Sequence, residues 1–149
     1  MTRPQEVIVR EHAKLRAFQL ADEVTVLIYR VTKGFPKDEV YGLTSQMRRA
    51  AVSIPSNIVE GCARESQAEY LRFLEIAFGP LRELHYQFSL ATRLGYVREP
   101  DVTPCNEAMN EASKVLSALI RSLRPTRPLY ANDQTPSPPF PLTAFPLTT

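Results

Sequence analysis

The sequence predicts an all-α protein: an up-down-up-down four-helix bundle followed by a proline-rich C-terminal tail. Apolar residues recur at three- and four-residue steps over four segments, which is the period of one helical face. Short connections join these segments, so consecutive helices are expected to pack as antiparallel neighbours. Seven of the 13 prolines follow position 124. The chain is therefore predicted to divide into a bundle over 1–124 and a tail over 125–149.

The first two helices are predicted over about 11–32 and 44–60. Gly34 and Pro36 end the first, because glycine frees the backbone and proline cannot continue the helical hydrogen bonds. Gly61 suits the left-handed residue that often follows a helix, so it is expected to end the second.

The third helix has the clearest start signal in the chain and is predicted over about 66–94. Ser66 and Glu69 have the spacing of a capping box, in which the serine hydroxyl accepts from the Glu69 amide and the Glu69 carboxylate accepts from the Ser66 amide. Gly95 is the expected stop.

The fourth helix is predicted over about 104–123, with Thr103 as its cap and Pro104 at the first helical position, where a missing amide proton costs little. Two other prolines, Pro55 and Pro80, fall inside predicted helices. Each removes a backbone hydrogen bond and is expected to kink its helix.

Composition excludes several classes of protein. The formal net charge of +2 is far from the strongly basic balance that by itself indicates nucleic-acid binding. The N-terminus lacks a signal-peptide pattern and no apolar run is long enough to cross a membrane. Cys62 and Cys105 are far apart and fit no metal or redox motif, so reduced structural thiols in a cytoplasmic protein are expected.

The sequence also argues against an enzyme. A di-metal helical bundle needs inward glutamates and Glu-x-x-His pairs, and neither His12 nor His85 has a glutamate three residues before it. His85 lies on the apolar side of the third helix and is expected to be a hydrogen-bonded core or interface residue. Phosphate-cradling glycine loops and hydrolase motifs are lacking. We expect no catalytic residue, metal or cofactor.

The second helix carries a polar stripe beside an apolar seam. On a helical wheel the stripe spans about 100° and consists of Gln46, Arg49, Ser53, Ser56, Asn57 and Glu60. The seam, expected in the core, consists of Leu43, Met47, Ala50, Ala51, Ile54 and Ile58. The stripe is either a solvated face or a partly buried polar network that fixes the register of a subunit interface.

Arginines offer a third interpretation of this region. Arg48, Arg49 and Arg64 could approach phosphates, because guanidinium groups match phosphate oxygens bidentately. Apolar residues also lie away from the main face of the third helix, and they indicate either a deep position in the bundle or an oligomeric interface. They are Ile76, Leu90 and Leu94.

The tail contains a tandem repeat, because Phe-Pro-Leu-Thr occurs at 140–143 and again at 145–148. Two alternatives stay open. The tail is either a disordered, polyproline-like segment, or it docks on another subunit through apolar anchors. These anchors are Phe140, Leu142, Phe145 and Leu147.

The segment 43–61 resembles the signature of the bacterial four-helix-bundle proteins that are encoded in intervening sequences of 23S ribosomal RNA genes. The resemblance covers roughly 10–122 and continues in 69–74, 76–77, 81–84 and 94–96. It implies a bundle that assembles into a ring, a homopentamer. It also implies kinship with accessory proteins of diversity-generating retroelements, which bind nucleic acid and a reverse transcriptase.

These observations lead to two functional hypotheses. The first is a non-enzymatic homo-oligomeric scaffold that binds RNA or DNA through arginines repeated around the assembly, since weak phosphate contacts multiply when sites are linked. The alternative is a protein-interaction module that recruits a partner through the second helix or the tail and binds no nucleic acid. Neither hypothesis involves a membrane or a small-molecule substrate.

Overall fold

The computed structural model describes residues 10–126, which form four long helices and two short 3-10 turns. The helices are α1 (Arg16–Thr32), α2 (Leu43–Cys62), α3 (Gln67–Arg93) and α4 (Glu99–Leu123). The 3-10 turns, His12–Lys14 and Lys37–Glu39, precede α1 and α2 respectively. No strand occurs within these residues, so the predicted all-α class is confirmed.

The four helices pack as a closed square. α1 contacts α2 and α4, α3 contacts the same two helices, and the diagonal pairs do not meet within the described part of the chain. Phe35 after α1 and Tyr96 after α3 lie with ring centroids 5.6 Å apart. At the opposite end, Arg10 Nη1 donates to the Arg64 carbonyl at 2.7 Å. The first and third connections therefore share one end of the bundle, as an up-down-up-down order requires.

The core follows the predicted apolar faces. Every residue of the α2 seam is buried, and the other helices contribute residues at helical spacing. The largest fully buried side chains include Val24, Ile28, Leu74, Leu81, Leu84, Phe88, Met109 and Leu116. Both cysteines are free and buried.

The start of α3 uses one half of the predicted capping box, and the reciprocal bond from the Ser66 amide to the Glu69 carboxylate is not formed among the described residues. Ser66 Oγ accepts from the Glu69 amide at 3.1 Å, which satisfies one of the amides that the first helical turn leaves without a partner. Gly95 follows the helix with a φ of 75°, a conformation that side chains with a Cβ rarely adopt. Its amide donates to the Thr92 carbonyl at 3.0 Å. The predicted stop at Gly95 is therefore confirmed.

Gly61 does not end α2, so the prediction for this residue is wrong. The helix continues to Cys62 and Gly61 has an ordinary helical backbone. A Cβ at this position would lie 2.9 Å from Phe73 Cβ and 3.3 Å from the Tyr70 carbonyl oxygen. Glycine is needed here because α3 approaches the backbone of α2 closely.

The start of α4 also differs from the prediction. Arg98 is the N-cap, Pro100 lies in the first turn, and Thr103 and Pro104 lie inside the helix. Pro100 and Pro104 would each fit the first turn of a helix. A start at Glu99 also puts the carboxylates of Glu99 and Asp101 in the first turn, where the helix dipole stabilises negative charge. The helix therefore begins five residues before the predicted position.

Pro55 lies inside α2 without leaving its backbone partner unpaired. Proline has no amide proton to donate to the Ala51 carbonyl one turn earlier. The Thr25 hydroxyl on α1 donates to that carbonyl at 2.9 Å, and Ala51 is fully buried. The same hydroxyl lies 2.9 Å from the Ala21 carbonyl of its own helix, so its single proton is shared between the two carbonyls. A side chain from the neighbouring helix thus replaces the hydrogen bond that proline removes.

Several apolar side chains face solvent on the single chain. Ile76 and Leu94 are 42% and 51% exposed, so a deep position in the bundle does not explain them, whereas Leu90 packs partly against the core. Their role at an oligomeric interface stays a prediction. Within residues 10–126 no helix has the length and apolar character to span a membrane.

Candidate nucleic-acid interface

A pocket lies at the corner where α1 ends and α2 begins. Its volume is about 620 Å³, and its walls come from the last turn of α1, the connection over 33–42 and the first turns of α2. We call this feature the corner pocket. Its lining residues are Tyr29, Thr32, Lys33, Phe35, Pro36, Lys37, Val40, Thr44, Ser45, Arg48 and Arg49.

Four cationic side chains line the corner pocket and no carboxylate does. Arg48 and Arg49 come from α2, as the sequence suggested, whereas Lys33 and Lys37 come from the connection. Lys33, Lys37 and Arg49 are exposed and form no salt bridge within residues 10–126. The lining of the corner pocket therefore carries four positive charges and no negative one, on an almost neutral chain.

Arg48 has a structural role in addition to its charge. Its Nε donates to Thr32 Oγ1 at 2.8 Å, and its guanidinium carbon lies 4.9 Å from the centre of the Tyr29 ring. A weaker contact joins Nη2 to the Tyr29 carbonyl at 3.4 Å. The cation therefore lies at the C-terminal end of α1, where the helix dipole favours positive charge. Arg48 fastens α1 to α2 and helps to build the wall of the corner pocket.

Thr44 contributes an unsatisfied hydroxyl to this region. The residue is 7% exposed, and its Oγ1 has no hydrogen-bond partner within residues 10–126. Thr44 and Ser45 both belong to the first turn of α2, where backbone amides lack acceptors inside the helix.

Glu39 is the acidic group next to this corner. Its Oε2 accepts from the Leu43 amide at 2.8 Å, and its Oε1 lies 3.4 Å from the Tyr96 hydroxyl. Partial burial, together with the negative charge of Glu39, raises the pKa of the Tyr96 hydroxyl. The carboxylate is thus engaged by α2 and by the connection after α3, and it does not line the corner pocket.

Arg64, the third predicted arginine, lies at the other end of α2. It is roughly 24 Å from Arg48 by helical rise. It forms an ion pair with Glu60, and its guanidinium carbon lies 4.8 Å from the centre of the Phe73 ring. Half-buried and in contact with α3, Arg64 does not belong to the same surface as Arg48 and Arg49.

The polar stripe of α2 does not form one continuous network among the described residues. Asn57 Nδ2 donates to the Ser53 carbonyl at 2.7 Å and to Ser53 Oγ at 3.1 Å. Glu60 pairs with Arg64 in the same one-turn spacing. Gln46 and Ser53 face a groove toward α3, whereas Ser56 faces a groove toward α1. The stripe therefore divides between two surfaces.

A second surface with exposed apolar groups lies between α1 and α2. This valine groove, with a volume of about 400 Å³, is lined by Phe18, Asp22, Thr25, Val52, Pro55, Ser56 and Val59. Val52 is 40% exposed and Val59 is 36% exposed. The groove lies on the α1 side of α2, whereas Gln46 and Ser53 face α3.

The histidines occupy packed surroundings. The His12 ring lies edge-on to Phe18, with ring centroids 4.9 Å apart. His85 is half-buried on α3, and burial lowers its pKa. A backbone hydrogen bond with Met109 acts in the opposite direction and raises the pKa, but its effect is smaller. Within residues 10–126 no cluster of three or more histidine, cysteine or acidic side chains is placed to hold a metal ion.

Comparison with known proteins assigns the chain to a family. The model of the family described as 23S rRNA-intervening sequence protein matches residues 13–118. The chain belongs to this family. The match includes all of α1, α2 and α3 and most of α4, and it contains every residue that lines the corner pocket.

A solved structure shares the fold of this family member. It is the 1.70 Å crystal structure of a protein with unknown function from the S23 ribosomal protein family of Bacteroides thetaiotaomicron VPI-5482. The TM-score is 0.65 at 24% sequence identity, and the alignment covers 70% of this chain and 98% of that one. None of the curated proteins matches the chain.

Sequence reasoning missed Lys33 and Lys37 as members of the site. The signal that could have found them is their position on either side of Gly34-Phe35-Pro36, where the chain turns back toward the arginines of α2. The predicted tail anchors lie outside the described residues. They are Phe140, Leu142, Phe145 and Leu147.

Proposed function

We propose that this protein is a non-enzymatic, homo-oligomeric helical bundle that binds RNA through the corner pocket. The observation that carries the proposal is the convergence of Lys33, Lys37, Arg48 and Arg49 on one pocket without a lining carboxylate. Phosphate groups are the charged component of RNA, and lysine and arginine side chains bind them largely without regard to sequence.

Self-association would multiply this weak contact. A single corner pocket contacts few phosphates, but linked copies raise the effective concentration of each site for the same RNA. The exposed valines of the valine groove support an interface between copies, since they lie on one face of α2 and leave apolar surface in water. The resemblance to the family of intervening-sequence proteins implies that five copies form a ring.

The proposal predicts binding that depends on salt and on the exposed cations. In a fluorescence titration with fragments of 23S ribosomal RNA, affinity should fall linearly with salt on logarithmic axes. Arg49→Ala and Lys37→Ala should each weaken binding and reduce that slope by about 0.7 for every lost contact with a single-stranded phosphate. Arg48→Ala is less suitable, because Arg48 also fastens α1 to α2.

Lys114→Ala is the matched control, because Lys114 is exposed on α4 and forms no salt bridge within residues 10–126. Its affinity and salt slope should match those of the unmodified protein. Absence of RNA binding at low salt would contradict the proposal and would favour the alternative, a protein-interaction module that uses the valine groove or the tail. Equal effects of Lys114→Ala and Arg49→Ala would show that binding is not centred on the corner pocket.

A further inference from the structure

The corner pocket has an exposed apolar wall beside its cations. Tyr29, Pro36 and Val40 line the pocket and are all exposed, Tyr29 by 40% and Val40 by 50%. Contacts with phosphate groups require positive charge, and they leave aromatic and aliphatic surface uncovered. The composition of the wall therefore indicates that the ligand brings an apolar face into the pocket together with its negative charge.

We infer that the corner pocket binds single-stranded RNA and that an unpaired base stacks on the ring of Tyr29. This inference rests on the proposed function and specifies which form of RNA the site recognises. The bases of a duplex are stacked on one another inside the helix, whereas an unpaired base exposes a face that an aromatic ring can cover. Every base has such a face, so stacking does not require a particular sequence.

The Tyr29 side chain is positioned before any ligand binds. The Arg48 guanidinium carbon lies 4.9 Å from the centre of the Tyr29 ring, and Arg48 is itself held by the hydrogen bond from its Nε to Thr32 Oγ1. Tyr29 remains 40% exposed in spite of this contact. Because the ring is already ordered, a base that stacks on it loses less of its binding free energy to the ordering of the protein.

The cations of the pocket would bind the phosphates that flank the stacked base. Lys33, Lys37 and Arg49 are exposed and lie in the same lining as Tyr29. A positively charged groove with an aromatic platform is the combination that sites for single-stranded nucleic acids use. The volume of about 620 Å³ also lies within the range of about 300–1,000 Å³ that is typical of clefts for small ligands, so the pocket has room for one nucleotide.

Tyr41 supplies a second aromatic ring next to the pocket. It does not line the pocket, but it lies in the chain between Val40 and Thr44, which both do. Its side chain is 97% exposed, so the described residues cover almost none of its ring. A nucleotide that follows the one bound in the pocket could stack there. Since the ring makes almost no contact within the bundle, its removal should not affect the fold.

The first test compares three RNA probes with the same 3′ fluorophore, measured by fluorescence anisotropy. They are an oligomer without self-complementarity, the same oligomer paired with its complement, and an abasic oligomer of equal length. The single strand should bind about tenfold more tightly than the abasic strand, which has the same phosphates but no bases. It should also bind more tightly than the duplex, although the duplex carries more charge.

The outcomes separate this inference from the proposed function. Equal affinity for the abasic and the normal oligomer, or tighter binding of the duplex, would overturn the inference. Salt-dependent binding of these probes would in that case still uphold the proposed function, because contacts with phosphates alone explain it. Absence of binding to all three probes at low salt would contradict both.

Substitutions locate the stacking. Tyr29→Leu should bring the ratio of the dissociation constants for the abasic and the normal oligomer close to one, whereas Tyr29→Phe should preserve the ratio, because phenylalanine keeps the ring. Tyr41→Ala should lower the ratio as well, and the exposure of Tyr41 excludes an effect through the fold. Tyr86→Ala is the matched control, since Tyr86 is 62% exposed on α3 and does not line the pocket. An unchanged ratio in both Tyr29→Leu and Tyr41→Ala would overturn the inference.

Discussion

The Thr25 hydroxyl makes the hydrogen bond that Pro55 cannot make. Proline inside a helix removes one donor, and the freed carbonyl of Ala51 is in the core, where water does not reach it. Thr25 donates from the neighbouring helix at 2.9 Å. The stability of α2 at this point therefore depends on a residue of α1.

This dependence predicts a coupling between the two positions. Thr25→Val should lower the free energy of unfolding by about 1–3 kcal/mol, because it leaves a buried carbonyl without a donor. In a Pro55→Ala background the same change should cost much less, since the new alanine amide can donate to the Ala51 carbonyl itself. Urea denaturation of the four proteins in this double-mutant cycle measures the coupling.

Thr92→Val is the control for the loss of a threonine hydroxyl. Thr92 Oγ1 donates to the Phe88 carbonyl at 2.9 Å within α3, where the following turn contains no proline. Thr92→Val should lower the free energy of unfolding much less than Thr25→Val does. If Thr25→Val costs the same with and without the Pro55→Ala change, the hydroxyl does not substitute for the amide that proline lacks.

At the scale of elements, two glycines have different structural reasons to be glycine, and a third has none. Gly95 needs a positive φ, Gly61 needs the absence of a Cβ against α3, and Gly79 needs neither, because an added Cβ would have nothing within 4 Å. The residue type is the same in each case, and the structural requirement differs.

These requirements predict opposite effects of alanine at two open positions. Gly95→Ala should lower the free energy of unfolding by about 1–2 kcal/mol, because a Cβ disfavours the left-handed backbone. Gly79→Ala lies inside α3 and should raise it by about 0.5–1 kcal/mol, since alanine loses less backbone freedom on folding. Thermal and urea unfolding measure both changes in the free energy of unfolding. Changes of the same sign would refute the assignment of Gly95 as a conformational stop.

The sequence predicted the helices better than their boundaries. Periodicity identified all four apolar faces, and the Ser66 cap is local enough to be recognised from spacing. Gly61 was misassigned because its role comes from the approach of another helix, which no local pattern contains. The start of α4 was placed too late because Pro100 and Pro104 each fit a first turn.

The candidate site likewise could be predicted only where its residues are related by local helical geometry. Arg48 and Arg49 could be identified on a single helix, because helical geometry relates neighbouring positions. Lys33 and Lys37 could not, since their approach depends on how the connection folds back over α2. Arg64 was grouped with the other two by residue type, but the length of α2 separates it from them.

At the scale of the whole molecule, the proposed self-association assigns the contact between copies to the valine groove. Val52→Asp should shift the native mass toward that of a single chain, because burying a carboxylate in an apolar contact is unfavourable. Val40→Asp is the control, since Val40 is 50% exposed but lies at the corner pocket instead. Light scattering after size-exclusion chromatography measures the mass.

Removal of 125–149 completes this test. The truncated chain should keep the native assembly if the valine groove holds the copies together. A shift to single chains on truncation, with no effect of Val52→Asp, would assign self-association to the tail and would contradict the role proposed for the groove.

The corner pocket and the C-terminal end of α4 lie at opposite ends of the bundle. The corner pocket lies at the end that holds the connections after α1 and α3, whereas α4 finishes at Leu123 beside the start of α3. The 25 residues of α4 span about 37 Å by helical rise. A fluorophore or surface tether joined after α4 would therefore leave the pocket open, so that captured molecules could be presented to RNA in one orientation.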